Sequence, residues 1–235
     1  MKIASCTLAF NDDTIIRPAI RCMKDFVDRH IVILGTQPFN GDNPAPDRTE
    51  QICEEEGVDI IKGFWGNEEN HRHVGLQACK DCDWVIIQES DEYYTREGLE
   101  NLIKFLEKTD AVAVAHKAKA YWKNMDYRLE PYPDYEPIIA IRPTVRFTEK
   151  RCIDSPYVST SKKDGFEMHH LCWAEPHDIL KKVTNYCHAN EFDGLGWYKK
   201  HFLNWKFGEK AVTGHGEIWD VVYDPLPEEL RRLFQ

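Results

Sequence analysis

In the first half of the chain the apolar residues gather into short runs set between stretches of helical period. Residues 2–10, 30–34, 58–61, 84–87 and 111–115 are short runs rich in apolar residues, 84–87 and 111–115 without interruption. The run 84–87 reads as a buried strand of a mostly parallel sheet, and the others as further strands. Residues 14–27 carry Ile15, Ile16, Ala19, Met23 and Phe26 or Val27 close to helical spacing, with Asp13 placed as a cap and Pro18 in the first turn. Residues 47–56 predict a polar helix lying on the outside, and residues 68–80 a helix that ends just before the fourth strand. Residues 95–108 show an amphipathic stripe of Leu99, Leu102, Ile103 and Leu106. Strand and helix alternate in this way up to about residue 115, which implies a parallel sheet with right-handed crossovers.

The pattern changes after Lys119. Residues 121–135 are aromatic and Pro-rich without a clean period, and include Tyr121, Trp122, Tyr127, Tyr132 and Tyr135. Residues 138–141 and 145–147 are short strand candidates, with Pro143 marking a bend or an edge. Residues 155–165 are polar and predict a mobile loop. Residues 166–173 predict a last sheet strand carrying His169 and His170, 176–189 a helix, 192–207 a partly helical aromatic stretch and 227–234 one short helix. No repeat, low-complexity segment or linker divides the chain, so the 235 residues are expected to form one domain, the second half acting as a lid on the first.

The formal net charge of −10 argues against duplex nucleic acid as the main partner, since phosphate binding needs a basic surface. It leaves room for a small phosphate-bearing ligand held by a metal. The eight cysteines have no framework spacing, the amino terminus lacks the pattern of a signal peptide, and no apolar run is long enough to span a bilayer. A reduced, cytoplasmic setting is expected. Cys79 and Cys82 have zinc-like spacing but no second pair, and read as two buried thiols. The chemistry gathers in Glu89-Ser90-Asp91-Glu92, directly after the apolar run at Trp84. In open α/β sheets ligands bind at the carboxyl ends of the strands. Carboxylates placed there need a positive partner, of which a hard divalent cation is the simplest. The competing reading is a solvated acidic turn. Asn11-Asp12 and the segment after Leu34 fall on the same edge.

Four features resemble the family 2 type of GT-A-fold glycosyltransferases. The first strand ends in Ala9-Phe10-Asn11-Asp12. His71-Arg72-His73-Val74-Gly75 stands where those enzymes commonly have an Arg-Asn-x-Gly-like segment. Residues 83–87 form the approach to the metal motif, and Glu89-Ser90-Asp91-Glu92 is similar to their Asp-x-Asp-Glu. The likeness covers residues 1–115. Beyond that, His169-His170 before Trp173, and Lys181 to Glu191 in the pattern Lys-Lys-x-x-x-Tyr-x-His-Ala-x-Glu, look like the tail of some small bacterial and viral members. The chain departs from the family at the second strand, which ends in Leu34-Gly35-Thr36 without the base-holding Asp. It also lacks the Glu-Asp catalytic pair and the Gln-x-x-Arg-Trp motif of processive synthases.

The resemblance implies a GT-A-like (Rossmann-like) α/β fold, a mostly parallel sheet flanked by helices with an irregular acceptor region. Residues 1–115 would bind the nucleotide sugar and 116–235 the acceptor. It implies transfer of one sugar from a nucleotide diphosphate sugar to a hydroxyl of a glycan or glycoconjugate, with Mn2+ or Mg2+ and with inversion. Asp91 is the first metal ligand, joined by Glu89 and by one histidine, for which His169 is chosen over His170. Thr7, Leu8, Ala9, Asn11, Asp42, Arg72, Glu89 and Ser90 are the donor-binding candidates, Arg72 reaching a phosphate or a carboxylate ligand of the metal. Glu167, Glu175, Glu191 and Asp193 are candidates for the general base. Trp122, Tyr127, Tyr132, Trp173 and Trp197 read either as a sugar-stacking platform or as core. A nucleotidyltransferase, a non-catalytic nucleotide- or glycan-binding protein and a zinc-stabilised structural domain are the alternatives.

Overall fold

The computed structural model describes residues 1–132 and 136–235; Tyr135, counted above in the aromatic stretch, lies outside them. β1 (Ile3–Ala9) is buried along its whole length, as a strand covered on both faces must be. α1 (Ile16–Met23), β2 (Arg29–Gly35), α2 (Thr49–Glu56), β3 (Asp59–Gly63), α3 (Glu68–Ala78) and β4 (Trp84–Glu89) continue the predicted alternation. The four strands pair in parallel, with Cys6 of β1 level with Ile31 on one side and Ile87 on the other. Gly75 lets α3 lie directly on β1: a Cβ there would fall 2.0 Å from Cys6 Sγ. A short β5 (Glu92–Tyr93) follows the acidic cluster, then α4 (Arg96–Leu106), whose cap Thr95 accepts from the Gly98 amide and whose Leu99, Leu102 and Leu106 are buried.

The rest of the described chain forms β6 (Ala113–His116), β7 (Ala118–Lys123), β8 (Tyr127–Glu130), β9 (Ile138–Ile141), β10 (Phe147–Glu149), β11 (Cys152–Ile153), β12 (Val158–Thr160), β13 (Met168–Ala174), α5 (Ile179–Asn185), α6 (Gly194–Trp197), β14 (Ala211–Val212), β15 (Ile218–Tyr223) and α7 (Glu228–Arg231). The main sheet has the order β12-β6-β9-β4-β1-β2-β3, in which β9 alone runs against its neighbours. A second sheet, β14-β15-β8-β7-β13-β5, backs the acidic cluster. The fold is therefore the expected α/β, GT-A-like one.

Four expectations are corrected. Residues 155–165 are not all loop: β12 adds to the edge of the main sheet, and Thr160 Oγ1 donates to the Ala115 carbonyl at 2.7 Å. β13 joins the second sheet, between β7 and β5, rather than closing the first. Asp13 does not cap α1; the Asp12 carbonyl accepts from the amides of Ile15 and Ile16 instead. α2 is not merely peripheral, since Ile52 and Cys53 are buried and its Glu56 pairs with Arg17 and Arg21. The aromatic set falls largely in core: Trp122 is fully buried, edge-on to Trp197, Phe202 and Trp205, and Trp173 leans on Trp197 at 4.9 Å. Cys79 and Cys82 are buried free thiols.

Candidate active site

β4 carries the acidic cluster out of the sheet, and its carboxylates then part. Glu89 turns to Arg72 and, at 3.9 Å, to Arg151. Glu92 is buried and paired with Arg151, while its Oε2 accepts from the Glu89 amide at 3.0 Å. Asp91 goes the other way. Lys182 Nζ donates to its Oδ2 at 2.6 Å, His170 Nε2 lies 3.3 Å from Oδ1, and His177 Nδ1 lies 3.2 Å from Oδ2. Burial works against the Asp91 charge, but Lys182 and His170 outweigh it and hold the carboxyl well below the usual range. For Glu89 burial wins over Arg72 and Arg151, and its carboxyl is raised. The positive charge that the cluster needs is thus supplied by the chain itself, with Arg72, Arg151 and Lys182 each serving a different carboxylate. Charge balance alone does not require a cation here.

α5 brings its lysines to this edge. Asp178 caps it by accepting from the Lys181 amide, and Lys181 Nζ stands 3.5 Å from Asp12 Oδ1 while Lys182 reaches Asp91. Asp12 in turn accepts from Ser90 Oγ at 2.7 Å, which ties the end of β1 to the acidic cluster. After Asn185 the backbone becomes extended, so the helix is shorter than the predicted 176–189. There Asn40 Nδ2 donates to the Tyr186 carbonyl at 2.7 Å, and Asn185 Nδ2 to the Asn40 carbonyl at 3.1 Å. The Cys187 thiol donates to Glu68, which also holds Arg72. The loop after β2 and the segment after α5 are in this way clasped over the carboxyl ends of β1, β2 and β4.

Several expected residues lie elsewhere. His169 is the main correction. Neighbours on a strand face opposite ways, and the structure puts His170, not His169, beside Asp91. His169 is buried on the other side, 3.0 Å from the Tyr121 hydroxyl. Thr7 and Leu8 are packed inside the sheet, the Thr7 hydroxyl being taken by Gln88 and His30, so they offer a donor no side chain. Ala9 is buried as well, whereas Asn11, at a left-handed φ of 52°, spans to the Ala45 carbonyl at 3.0 Å. Asp42 is exposed on the loop, with its carbonyl near Asn185. Arg72 reaches the carboxylate of Glu89 and, with Arg151, turns Glu89 away from Asp91, so the two acids do not stand together as the expected metal ligands. Among the base candidates, Glu167 accepts from the Tyr132 hydroxyl at 2.6 Å and Asp193 caps α6 by accepting from the Gly196 amide at 2.9 Å. Glu175 lines a separate surface cavity of about 540 Å³ with Asn124, Asp126 and Arg231. Glu191 accepts from or is paired with His188 at 2.7 Å. His177, Lys182 and Arg151 were not singled out by the sequence. Lys182 sits in the quoted Lys-Lys pattern, and Arg151 is signalled only by the rule that buried acids need buried cations.

His30 and His169 give the fold a pH dependence. Burial pushes each down to about 4 from the ordinary value near 6.5. Above about pH 6.5 neither state is protonated there. As the pH falls towards 4 the unfolded chain takes up protons that the fold refuses, so stability is lost across that window, on the order of 3 kcal/mol per histidine. Urea midpoints measured from about pH 7 to pH 4.5 should fall steadily, and His169→Gln should flatten the slope.

The glycosyl transferase family 2 model matches residues 41–164, more than half of the chain. The chain belongs to glycosyl transferase family 2. Among solved structures it is similar to glucosyl-3-phosphoglycerate synthase from Mycobacterium tuberculosis in complex with Mn2+, UDP and glucosyl-3-phosphoglycerate, at 13% identity over 97% of this chain and 88% of that one, with a TM-score of 0.49. S. aureus TarS 1–349 with UDP is 14% identical over 70% of this chain and 62% of its own, with a TM-score of 0.45. GalNAc-T7 with UDP, GalNAc and Mn2+ is 11% identical over 74% and 44%, with a TM-score of 0.46. In two further matches, to the same synthase and to TarS, this family 2 chain spans 45% and 35% of the other chain's length. No curated protein matches the sequence. No helix among the described residues is long and apolar enough to cross a membrane.

Proposed function

We propose that this chain transfers a single hexosyl or deoxyhexosyl unit from a nucleotide diphosphate sugar to a hydroxyl of a glycan or glycoconjugate, with inversion and with a divalent cation at Asp91. Family membership supports the reaction class. The observation that carries the metal centre is His177. Its Nδ1 is buried and has no hydrogen-bond partner, yet it stands 3.2 Å from an Asp91 oxygen. A buried polar atom left unpaired costs free energy unless something binds it. His170 and His177 flank opposite oxygens of Asp91, and the Asp91 carboxylate with water is the kind of ligand that Mn2+ and Mg2+ take. A cation held there supplies Lewis-acid neutralisation of the departing diphosphate.

The chain's own residues do the rest in this reading. Asn11, Ser90 and the loop with Asp42 border the donor from the ends of β1, β4 and β2. Lys181 and Lys182 bring two ammonium groups to the phosphates from α5. Arg72 and Arg151 keep Glu89 and Glu92 from adding negative charge. Residues 1–115 form the donor half and 116–235 the acceptor half, with the clasp of Asn40 on Asn185 closing the edge between them.

Thermal shift against UDP, GDP, dTDP and CMP, each with and without Mn2+, tests this. A nucleotide at about 100 times its dissociation constant adds roughly 2.7 kcal/mol to stability. A rise in Tm for one nucleotide that needs Mn2+ is expected. No response to any of the four would overturn the donor-site reading and favour a glycan-binding module.

A further inference from the structure

Away from the donor site, one cluster gathers ligating atoms from two segments distant in sequence. His188 and Glu191 are one turn apart on the segment that leaves α5, with the Glu191 amide donating to the His188 carbonyl at 3.0 Å. His215 lies on the turn between β14 and β15, closed by the Gly216 amide donating to the Thr213 carbonyl at 2.9 Å. His188 Nδ1 is 2.7 Å from Glu191 Oε1, and His215 Nδ1 is 3.9 Å from Glu191 Oε2. One ligand atom from each of the three residues lies within 4.8 Å of the others.

The two imidazole rings stand edge to face, 5.9 Å apart at 88°, so they meet one carboxylate from different planes. Tyr186 packs on His188 at 5.4 Å and Phe192 on His215 at 5.5 Å, which limits how far either ring can turn away. A tetrahedral zinc site with bonds of about 2.0–2.2 Å needs its ligand atoms about 3.3 Å apart. The observed 2.7 and 3.9 Å fall on either side of that value. Small side-chain shifts therefore close the site, and His215 and Glu191 are exposed enough to make them.

We propose that His188, Glu191 and His215 bind a zinc-class divalent ion, with the fourth position open to water. Two imidazoles and one carboxylate are a donor set that borderline transition metals favour. The ion pins the segment after α5 to the β14–β15 turn. Its neighbour Cys187 donates to Glu68, a partner of Arg72, so the pinned segment also borders the donor edge. Lys150 is the resident cation, with Nζ 3.2 Å from His188 Nδ1 and 3.9 Å from Glu191 Oε1. Its side chain is 41% exposed and can swing into water, so lysine and ion compete for the same place.

Zinc affinity of the full chain, stripped with chelator and titrated against a chromophoric competitor, tests the site. His215→Ala and Glu191→Gln should each weaken one zinc per chain by more than tenfold, and Lys150→Ala should tighten it. Zinc should raise the Tm of the wild type more than that of His215→Ala. The Mn2+-dependent nucleotide shift should survive in His215→Ala, which separates this site from the donor centre and shows that the variant folds. Equal zinc affinity in wild type and His215→Ala would overturn the proposal. So would loss of that zinc in Asp91→Asn with retention in His215→Ala, because the ion would then belong to the donor centre.

Discussion

Asp91→Asn is expected to lower sugar transfer by about a thousandfold or more, since the variant removes the charged ligand on which the proposed metal centre depends. The structure also makes the variant unstable. Lys182 Nζ, 2.6 Å from the carboxylate and largely buried, would be left without its counter-ion, and breaking such a pair costs about 3–5 kcal/mol. Loss of activity in the single variant therefore has two possible sources. The double variant Asp91→Asn/Lys182→Met separates them. It should regain most of the lost stability in urea unfolding and none of the turnover. Lys182→Met alone should fold and bind Mn2+ more tightly than the wild type, read from the loss of the free Mn2+ signal in electron paramagnetic resonance, because the ammonium no longer occupies Asp91. Measurable turnover in the folded double variant would remove Asp91 from the chemistry. Unchanged Mn2+ binding in Lys182→Met would show that lysine and metal do not share the carboxylate.

The donor half was legible because its signals are local. β1, β2 and β4 are each a largely apolar run, and two of the helices carry their own caps, Asn67 on the Asn70 amide for α3 and Thr95 on the Gly98 amide for α4. The second sheet was not, because its pairings are non-local. β7 lies beside β13, and β8 beside β15, in which Trp219 and Val221 turn to the core while the equally apolar Ile218 and Tyr223 stay exposed. A strand of that kind is specified by partners some ninety residues away along the chain and not by its own alternation. β12 was hidden for a similar reason: Val158-Ser159-Thr160 is polar and short, and only the edge of β6 makes it a strand.

The site shows the same division. That Glu89 to Glu92 stands at the carboxyl end of a buried strand was readable, and so was the rule that His169 and His170 face apart. Which of the two faces Asp91 depends on how β13 sits against β5 and β7, where His170 is level with Glu92 and with Ala120. No local pattern carries that register. His177 and Lys182 come from the stretch after β13: a turn closed by the His177 amide on the Ala174 carbonyl holds the first, and α5, started by Asp178, places the second. The inference from clustered carboxylates to a divalent cation was also incomplete, because beside Arg72 it left out Arg151 and Lys182, which come from two other parts of the chain.

Arg151→Met is the sharpest test of that internal neutralisation, and it should destabilise the fold by about 3–5 kcal/mol. Arg151 is 5% exposed and Glu92 1%. Besides its pair with Glu92, the guanidinium donates from Nη2 to the carbonyls of Ile87 at 3.1 Å and Ile138 at 2.9 Å, joining the ends of β4 and β9. Met fills much of the volume but satisfies none of these acceptors, and it leaves a buried carboxylate without a cation. At a slope of about 3 kcal/mol per molar urea, the midpoint should fall by roughly 1–2 M. Adding Glu92→Gln should restore a large part of the loss, because the amide needs no counter-ion and its oxygen can still accept from the Glu89 amide. If Arg151→Met unfolded at the wild-type midpoint, neutralisation by arginine would contribute nothing to the buried edge of the acidic cluster. If the double variant were no better than the single one, the carbonyls of Ile87 and Ile138, and not the carboxylate, would be what Arg151 serves.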